Sequence, residues 1–267
     1  MVALLAAGLF LQEDVVRTHS IYRMPSSETK GKFFEPLLKE SEYDTLCIEP
    51  KATPSALAMM KEKGIKSIAS SAIDTKANLA WRNATIDFVK GKISPKAWLS
   101  KTKGLGETIH FLSNPKTKKL REEMGQVTAM SVCAELFMLS QPGMPCLTAD
   151  DTGETRYLPG PGREESWLLA MRDYLGPMLY FRGSAKFLVT QKPKILRADD
   201  KPGLFIYQYT NGKHVVTYYV NNAEQPVELP KFNDGMMTIN CGLNMDGPKP
   251  VLLRNGFMIT NEGDPSN

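Results

Sequence analysis

The order of β-type and helical segments constrains the fold of this chain more than any other feature of its sequence. Up to about residue 180, short apolar runs rich in β-branched residues alternate with stretches of helical periodicity. Repeated strand and helix predict an α/β fold with a parallel sheet and right-handed crossover connections. The predicted strands are 15–17, 45–48, 67–69 and 108–112, and the predicted helices are 55–60, 78–89, 119–139 and 166–175.

A change of pattern near residue 180 divides the chain in two. Helical periodicity stops there, and the following β-type segments are separated by Gly, Pro and Asn. The predicted strands are 186–190, 203–209, 214–220 and 236–241, with a hairpin turn at 210–213. We therefore expect an α/β domain over residues 1–180 and a small antiparallel β-sandwich over residues 181–267.

The composition is that of an ordinary globular protein, and it excludes several classes of function. A net charge of +4 over 267 residues is too small to indicate a nucleic-acid partner. The apolar residues 1–11 lack a preceding basic region, so we predict a helix there rather than a secretion signal. The four cysteines are scattered, and no His, Asp and Glu cluster has ligand spacing. The sequence therefore predicts no metal site and no cofactor.

The segment 134–151 carries a resemblance to a known family. An apolar helix ends at Pro142-Gly143-Met144-Pro145, and a short strand closed by acidic residues follows. This order resembles the last segment of the α-amylase barrel (family 13 glycoside hydrolases), where a Pro-Gly-x-Pro turn leads into the eighth strand. A complete (β/α)8 barrel takes about 250 residues, so the resemblance implies a partial (β/α)8 TIM barrel, its second half. The fourth to eighth strands would be 15–17, 46–48, 67–68, 109–111 and 145–147.

The resemblance assigns catalytic positions of the family to residues of this chain. Such retaining enzymes need a carboxylate nucleophile and a carboxyl acid on either side of the glycosidic bond. The family's Arg-x-Asp after the fourth strand corresponds to Arg17-Thr18-His19. The resemblance thus implies that His19 replaces the nucleophile and that Arg17 is a substrate-binding position. The family's acid corresponds to Glu49, which is retained.

The segment after the seventh strand departs further from the family. The family's Asn-His-Asp corresponds to Asn114-Pro115-Lys116, so Asn114 keeps a substrate-binding position and Lys116 replaces the third carboxylate. A cation facing Glu49 favours the ionised carboxylate, which cannot protonate a leaving group at neutral pH. We therefore expect an inactive site.

One branch of the amylase-like superfamily shares the degraded site and the short loops. Residues 44–60 resemble the fifth strand and following helix of the heavy chains of heteromeric amino-acid transporters. This resemblance implies a non-catalytic ectodomain on the extracellular face of the plasma membrane, with a transporter light chain as partner. The family's membrane helix would lie upstream of Met1, so we expect a fragment or a short form. The sequon Asn83-Ala84-Thr85 makes Asn83 a candidate glycosylation site.

The alternative interpretation is a divergent α-glucosidase or α-amylase-like glycoside hydrolase of carbohydrate metabolism. In that case Glu49 would act as the acid, and the ligand would be an oligosaccharide.

Overall fold

The chain consists of a parallel sheet with helices and an antiparallel sheet that follows it. The computed structural model describes residues 18–24, 43–48, 58, 61, 62, 64, 66–68, 73–105, 109–114, 117–147, 166–185, 187–232 and 237–263.

Five strands form the parallel sheet. They are β1 (Thr18–Met24), β2 (Tyr43–Ile48), β3 (Lys66–Ile68), β4 (Ile109–Phe111) and β5 (Met144–Leu147). Their order is β3-β2-β1-β5-β4, and every pairing is parallel, as predicted. Consecutive barrel strands would be neighbours, whereas here β1 pairs with β5, and β3 and β4 are the two edge strands. The α/β fold is confirmed, and the partial barrel stays a prediction.

Within the described residues, six helices have both bounds defined. They are α1 (Lys76–Val89), α2 (Pro95–Thr102), α3 (Leu120–Glu123), α4 (Thr128–Leu139), α5 (Ser166–Ser184) and α6 (Phe187–Thr190). The single helix predicted over 119–139 is two helices, because the chain adopts positive φ at Gly125 and Gln126. The sequence pattern did not predict α2. Ser94 caps the start of this helix, since its hydroxyl oxygen accepts a hydrogen bond from the Ala97 amide, and Pro95 occupies the first turn.

Helix α4 is the central element of the core. Every residue from Met130 to Leu139 is buried, because the helix contacts α5 on one side and α1 and the strand Val251–Glu262 on others. Eight of these ten residues are apolar, the exceptions being Ser131 and Glu135, and a helix with apolar residues on all sides needs such enclosure. Its aromatic residue Phe137 packs against Phe88 of α1 and Trp98 of α2, with ring centroids 4.8 and 4.9 Å apart.

The antiparallel sheet consists of six strands. They are β6 (Lys194–Ala198), β7 (Leu204–Asn211), β8 (His214–Asn221), β9 (Val227–Glu228), β10 (Met237–Asn244) and β11 (Val251–Glu262). Their order is β10-β11-β8-β7-β6, and β9 pairs with β11. The predicted hairpin turn is confirmed: Asn211 pairs with His214, and Gly212 has φ of 60°.

Both faces of the antiparallel sheet are covered. The aromatic residues of one face, among them Phe205 and Tyr207, join the core formed by the helices. Leu204 and Ile206 alternate with them and pack on the other face against Leu229. Among the described residues these strands form one curled sheet rather than two facing layers, so the predicted sandwich is not confirmed.

One further prediction for the second half of the chain needs correction. Residues 186–190 were predicted as a strand, but α6 covers Phe187–Thr190, and Phe187 and Leu188 are both buried beside the sheet. Residue 180 lies inside α5, and the division into two domains stays a prediction. Within the described residues, no helix is long and apolar enough to cross a membrane.

Asparagine side chains join the antiparallel sheet to the end of α1. The side-chain nitrogen of Asn222 donates to the carbonyl oxygens of Phe88 (2.8 Å) and Ile93 (2.9 Å). The side-chain nitrogen of Asn255 donates to the carbonyl oxygen of Val89 (2.7 Å). Carbonyl groups in the last turn of a helix need such donors from outside the helix. Gly91, at φ of 70°, permits the approach, since a Cβ atom there would lie 2.8 Å from the Asn222 carbonyl oxygen.

Candidate functional site

The carboxyl edge of the parallel sheet is the candidate site, because parallel α/β sheets place ligands where their strands end. The five strands end at Met24, Ile48, Ile68, Phe111 and Leu147. Register brings these ends together, since Met24 pairs with Ile48 and Phe111 pairs with Cys146.

Asn114 is the predicted site residue whose surroundings the structure describes. It follows β4 and is buried, with 7% of its surface exposed. Its side-chain nitrogen donates to Oδ1 of Asp74 at 3.0 Å. Its main-chain nitrogen donates to Oγ1 of Thr117 at 3.0 Å, and the Thr117 amide donates back to the Asn114 carbonyl oxygen at 3.1 Å. The loop after β4 is therefore fixed at both of its described ends.

Asp74 is a site residue that sequence reasoning missed. It stands just before α1, whose first turn is capped by Thr75, with Oγ1 accepting from the Asn78 amide at 3.2 Å. The one available signal was an acidic residue between a predicted strand (67–69) and a predicted helix (78–89). That signal is common, so the sequence did not distinguish Asp74 from other acidic loop residues.

Arg82 holds the end of β4 against α1. Its Nε donates to the carbonyl oxygen of Leu112 at 2.7 Å, and its Nη2 lies 3.7 Å from a carboxylate oxygen of Glu123. The residue is 5% exposed, so this ion pair is shielded from solvent more than a surface pair is. The contact fixes the strand from which the Asn114 loop departs.

His110 of β4 supports the site from the helix side. Its ring stacks on Trp81 of α1, with centroids 3.9 Å apart and planes 4° from parallel. Burial lowers the pKa of His110 to about 3, and a hydrogen bond to the backbone of Leu105 opposes this shift. The imidazole is therefore neutral at physiological pH and acts as a packed aromatic group.

Arg182 of α5 holds the Pro-Gly turn that leads into β5. Its guanidinium is fully buried and donates to the carbonyl oxygens of Leu139 (2.6 Å), Gln141 (2.8 Å) and Gly143. Burial lowers the pKa of Arg182 to about 10, so the group stays charged at neutral pH. The cation thus lies at the carboxyl end of α4, where the helix dipole favours positive charge.

The remaining predicted site residues are not brought together by the described structure. Arg17, Glu49 and Lys116 lie outside the described residues. The strand predicted at 15–17 also lies outside the described residues. His19 is the second residue of β1 (Thr18–Met24), and its assignment to the nucleophile position stays a prediction. Strand β1 ends with Arg23-Met24, and Pro25 follows in the sequence.

The sequon of Asn83 lies on α1. Asn83 is exposed, whereas Thr85 is fully buried and its Oγ1 accepts from the Trp98 indole nitrogen at 3.1 Å. Folding therefore hides the hydroxyl that the sequon requires, and glycosylation of Asn83 stays a prediction. In the part of the chain that the structure describes, no group of three or more His, Cys, Asp or Glu residues could hold a metal ion.

Known structures similar to this chain include carbohydrate-active enzymes. The match to the debranching enzyme of Nostoc punctiforme covers 87% of this chain and 62% of that enzyme, with a TM-score of 0.56 and 14% identity. The match to the cyclic α-maltosyl-(1→6)-maltose hydrolase of Arthrobacter globiformis covers 87% and 60%, with a TM-score of 0.55 and 14% identity. The match to an Anoxybacillus α-amylase covers 88% and 64%, with a TM-score of 0.54 and 13% identity.

At this identity the likeness shows the fold alone. The chain has the α/β fold of α-amylase-like enzymes and spans about 62% of the length of the debranching enzyme. No protein-family model and no curated protein matches the sequence.

Proposed function

We propose that this chain is an amylase-type carbohydrate-active protein that binds an α-linked glucan oligosaccharide at the carboxyl edge of its parallel sheet. The observation that carries the proposal is the fold, which extends over 87% of the chain in its match to a debranching enzyme. The polar, hydrogen-bonded pair Asp74 and Asn114 at that edge adds support, because sugars are recognised through their hydroxyl groups by such side chains.

Glu49 is the carboxyl group that we assign to this site. It directly follows Ile48, the last residue of β2, in the sequence. Pro25 follows Met24, the strand partner of Ile48, and proline has no ionisable side chain. Retaining hydrolysis needs a carboxylate nucleophile as well as an acid, so the sequence favours oligosaccharide binding over hydrolysis.

Binding of maltoheptaose and of acarbose by the purified chain tests the proposal. Calorimetry should record saturable binding, and Glu49→Gln should weaken it about tenfold, the typical effect of losing one hydrogen bond to a charged group. Glu62→Gln is the matched control, because Glu62 is exposed and outside the carboxyl edge. The absence of saturable binding at millimolar sugar would overturn the proposal.

A turnover assay distinguishes the glycosidase alternative. Hydrolysis of an aryl α-glucoside that is lost in Glu49→Gln and retained in Glu62→Gln would establish an active enzyme.

The transporter-subunit hypothesis has no support from the fold or from the similar structures named above. The light-chain partner and the extracellular location therefore stay predictions.

A further inference from the structure

The chain contains the pair Asn-Gly at two places, and the structure gives the two pairs opposite environments. Asn211-Gly212 lies at the end of β7, and Asn255-Gly256 lies within β11. An asparagine that precedes glycine is chemically labile, because glycine has no Cβ atom to hinder attack of its amide nitrogen on the asparagine side chain. Exposure and local freedom of the backbone therefore decide which pair reacts.

The first pair lies at the tip of a hairpin. Asn211 pairs with His214, so Gly212 and Lys213 form the turn between β7 and β8. All three residues from Asn211 to Lys213 are exposed, and Gly212 has φ of 60°. A Cβ atom at Gly212 would meet open space. The tip of a hairpin opens more readily than its centre, so the Gly212 nitrogen can reach the Asn211 side chain without wider unfolding.

The second pair is enclosed by the core. Asn255 is 2% exposed, and its side-chain nitrogen donates to the carbonyl oxygen of Val89 at 2.7 Å. Gly256 is buried, and a Cβ atom there would lie 2.8 Å from the carbonyl oxygen of Leu253. The Asn255 side chain would have to leave α1 before the Gly256 nitrogen could reach it. Reaction at this pair therefore requires partial unfolding.

We propose that Asn211 is a site of spontaneous deamidation and that the fold protects Asn255 from the same reaction. The Gly212 nitrogen loses its proton and forms a bond to Cγ of Asn211. The bond from Cγ to Nδ2 breaks, ammonia leaves, and a cyclic imide remains. Water then opens the imide. Cleavage of the new bond to Cγ gives aspartate, whereas cleavage of the bond to the main-chain carbonyl carbon gives isoaspartate.

Both products change the tip of the hairpin. Each adds a negative charge beside Lys213. Isoaspartate also routes the main chain through Cβ and Cγ, which disturbs the pairing of position 211 with His214. The inference concerns the antiparallel sheet and is independent of oligosaccharide binding at the parallel sheet.

Peptide mapping by mass spectrometry tests the proposal on the full chain after prolonged incubation at mildly alkaline pH. The peptide that contains Asn211 should gain the mass difference between a carboxylic acid and an amide. Conversion at Asn255 should be at least about tenfold slower, because it requires loss of a buried hydrogen bond and opening of a strand. Asn211→Gln should abolish the fast conversion and leave Tm unchanged, since the side chain at this position is exposed.

The same incubation in urea provides the matched control. Both asparagines precede glycine, so in the unfolded chain their rates should agree within about threefold. Equal rates at the two positions in the folded chain would overturn the proposal. So would a preference for Asn211 that is equally large in urea, because the fold would then have no part in it. Conversion of Asn211 only in urea would also overturn the proposal, since the hairpin would then protect the site.

Discussion

Replacement of Asn222 by alanine should separate the antiparallel sheet from the end of α1. This side chain makes three hydrogen bonds: two to the carbonyl oxygens of Phe88 and Ile93, and one accepted from the Gly203 amide at 2.8 Å. Asn222 itself is 2% exposed. Alanine removes all three bonds and leaves buried main-chain groups without this partner.

The expected magnitude follows from the number of bonds. Each neutral hydrogen bond contributes about 0.5–1.5 kcal/mol net, so Asn222→Ala should lower the free energy of unfolding by about 2–4 kcal/mol. The loss is smaller at Phe88, because its carbonyl oxygen also accepts from the Gly91 amide at 2.9 Å. Asn222→Asp should be at least as destabilising at neutral pH, since a carboxylate oxygen would then face two carbonyl oxygens.

Urea denaturation followed by far-UV circular dichroism provides the measurement. Asn244→Ala is the control, because the Asn244 side chain accepts from the Asp246 amide in an exposed turn. That variant should change the free energy of unfolding by less than about 0.5 kcal/mol. A similarly small effect for Asn222→Ala would refute the reasoning that this side chain joins the sheet to α1.

Two further substitutions test buried polar groups around the parallel sheet. Arg182→Met should cost about 3–5 kcal/mol in thermal or chemical unfolding, because the carbonyl groups that end α4 lose a buried cation; retention of full stability would contradict this. For His110, the ordinary pKa of 6.5 falls to about 3 on folding. The unfolded chain therefore binds a proton that the folded chain excludes, and stability should fall as pH falls from about 6.5 towards 3. His110→Phe should show a weaker pH dependence of Tm over that window.

Local sequence patterns correctly predicted the helices and turns whose own residues favour those conformations. The periodicity over 78–89 predicted α1, and the Asn-Gly pair predicted the turn between β7 and β8. The pattern failed at 186–190, because an apolar run of that length fits a buried helix as well as a strand. Burial of Phe187 and Leu188 against the sheet decided for the helix.

For the candidate site too, the sequence predicted some features and missed others. The resemblance to the amylase family assigned Asn114 to the segment after a predicted strand, and Asn114 follows β4 in the structure. The assignment of His19 to the family's nucleophile position stays a prediction. The sequence missed Asp74, because the contact with Asn114 joins residues that are 40 positions apart.

The sequence by itself determined the α/β class and the change to β-structure in the second half. These properties depend on residue type and short-range periodicity. Only the tertiary structure decided the strand order, the enclosure of α4, the asparagine contacts at the end of α1 and the pairing of Asp74 with Asn114. Each of these depends on which distant segments bury their apolar surface against one another, and such burial couples the positions of segments far apart in the sequence.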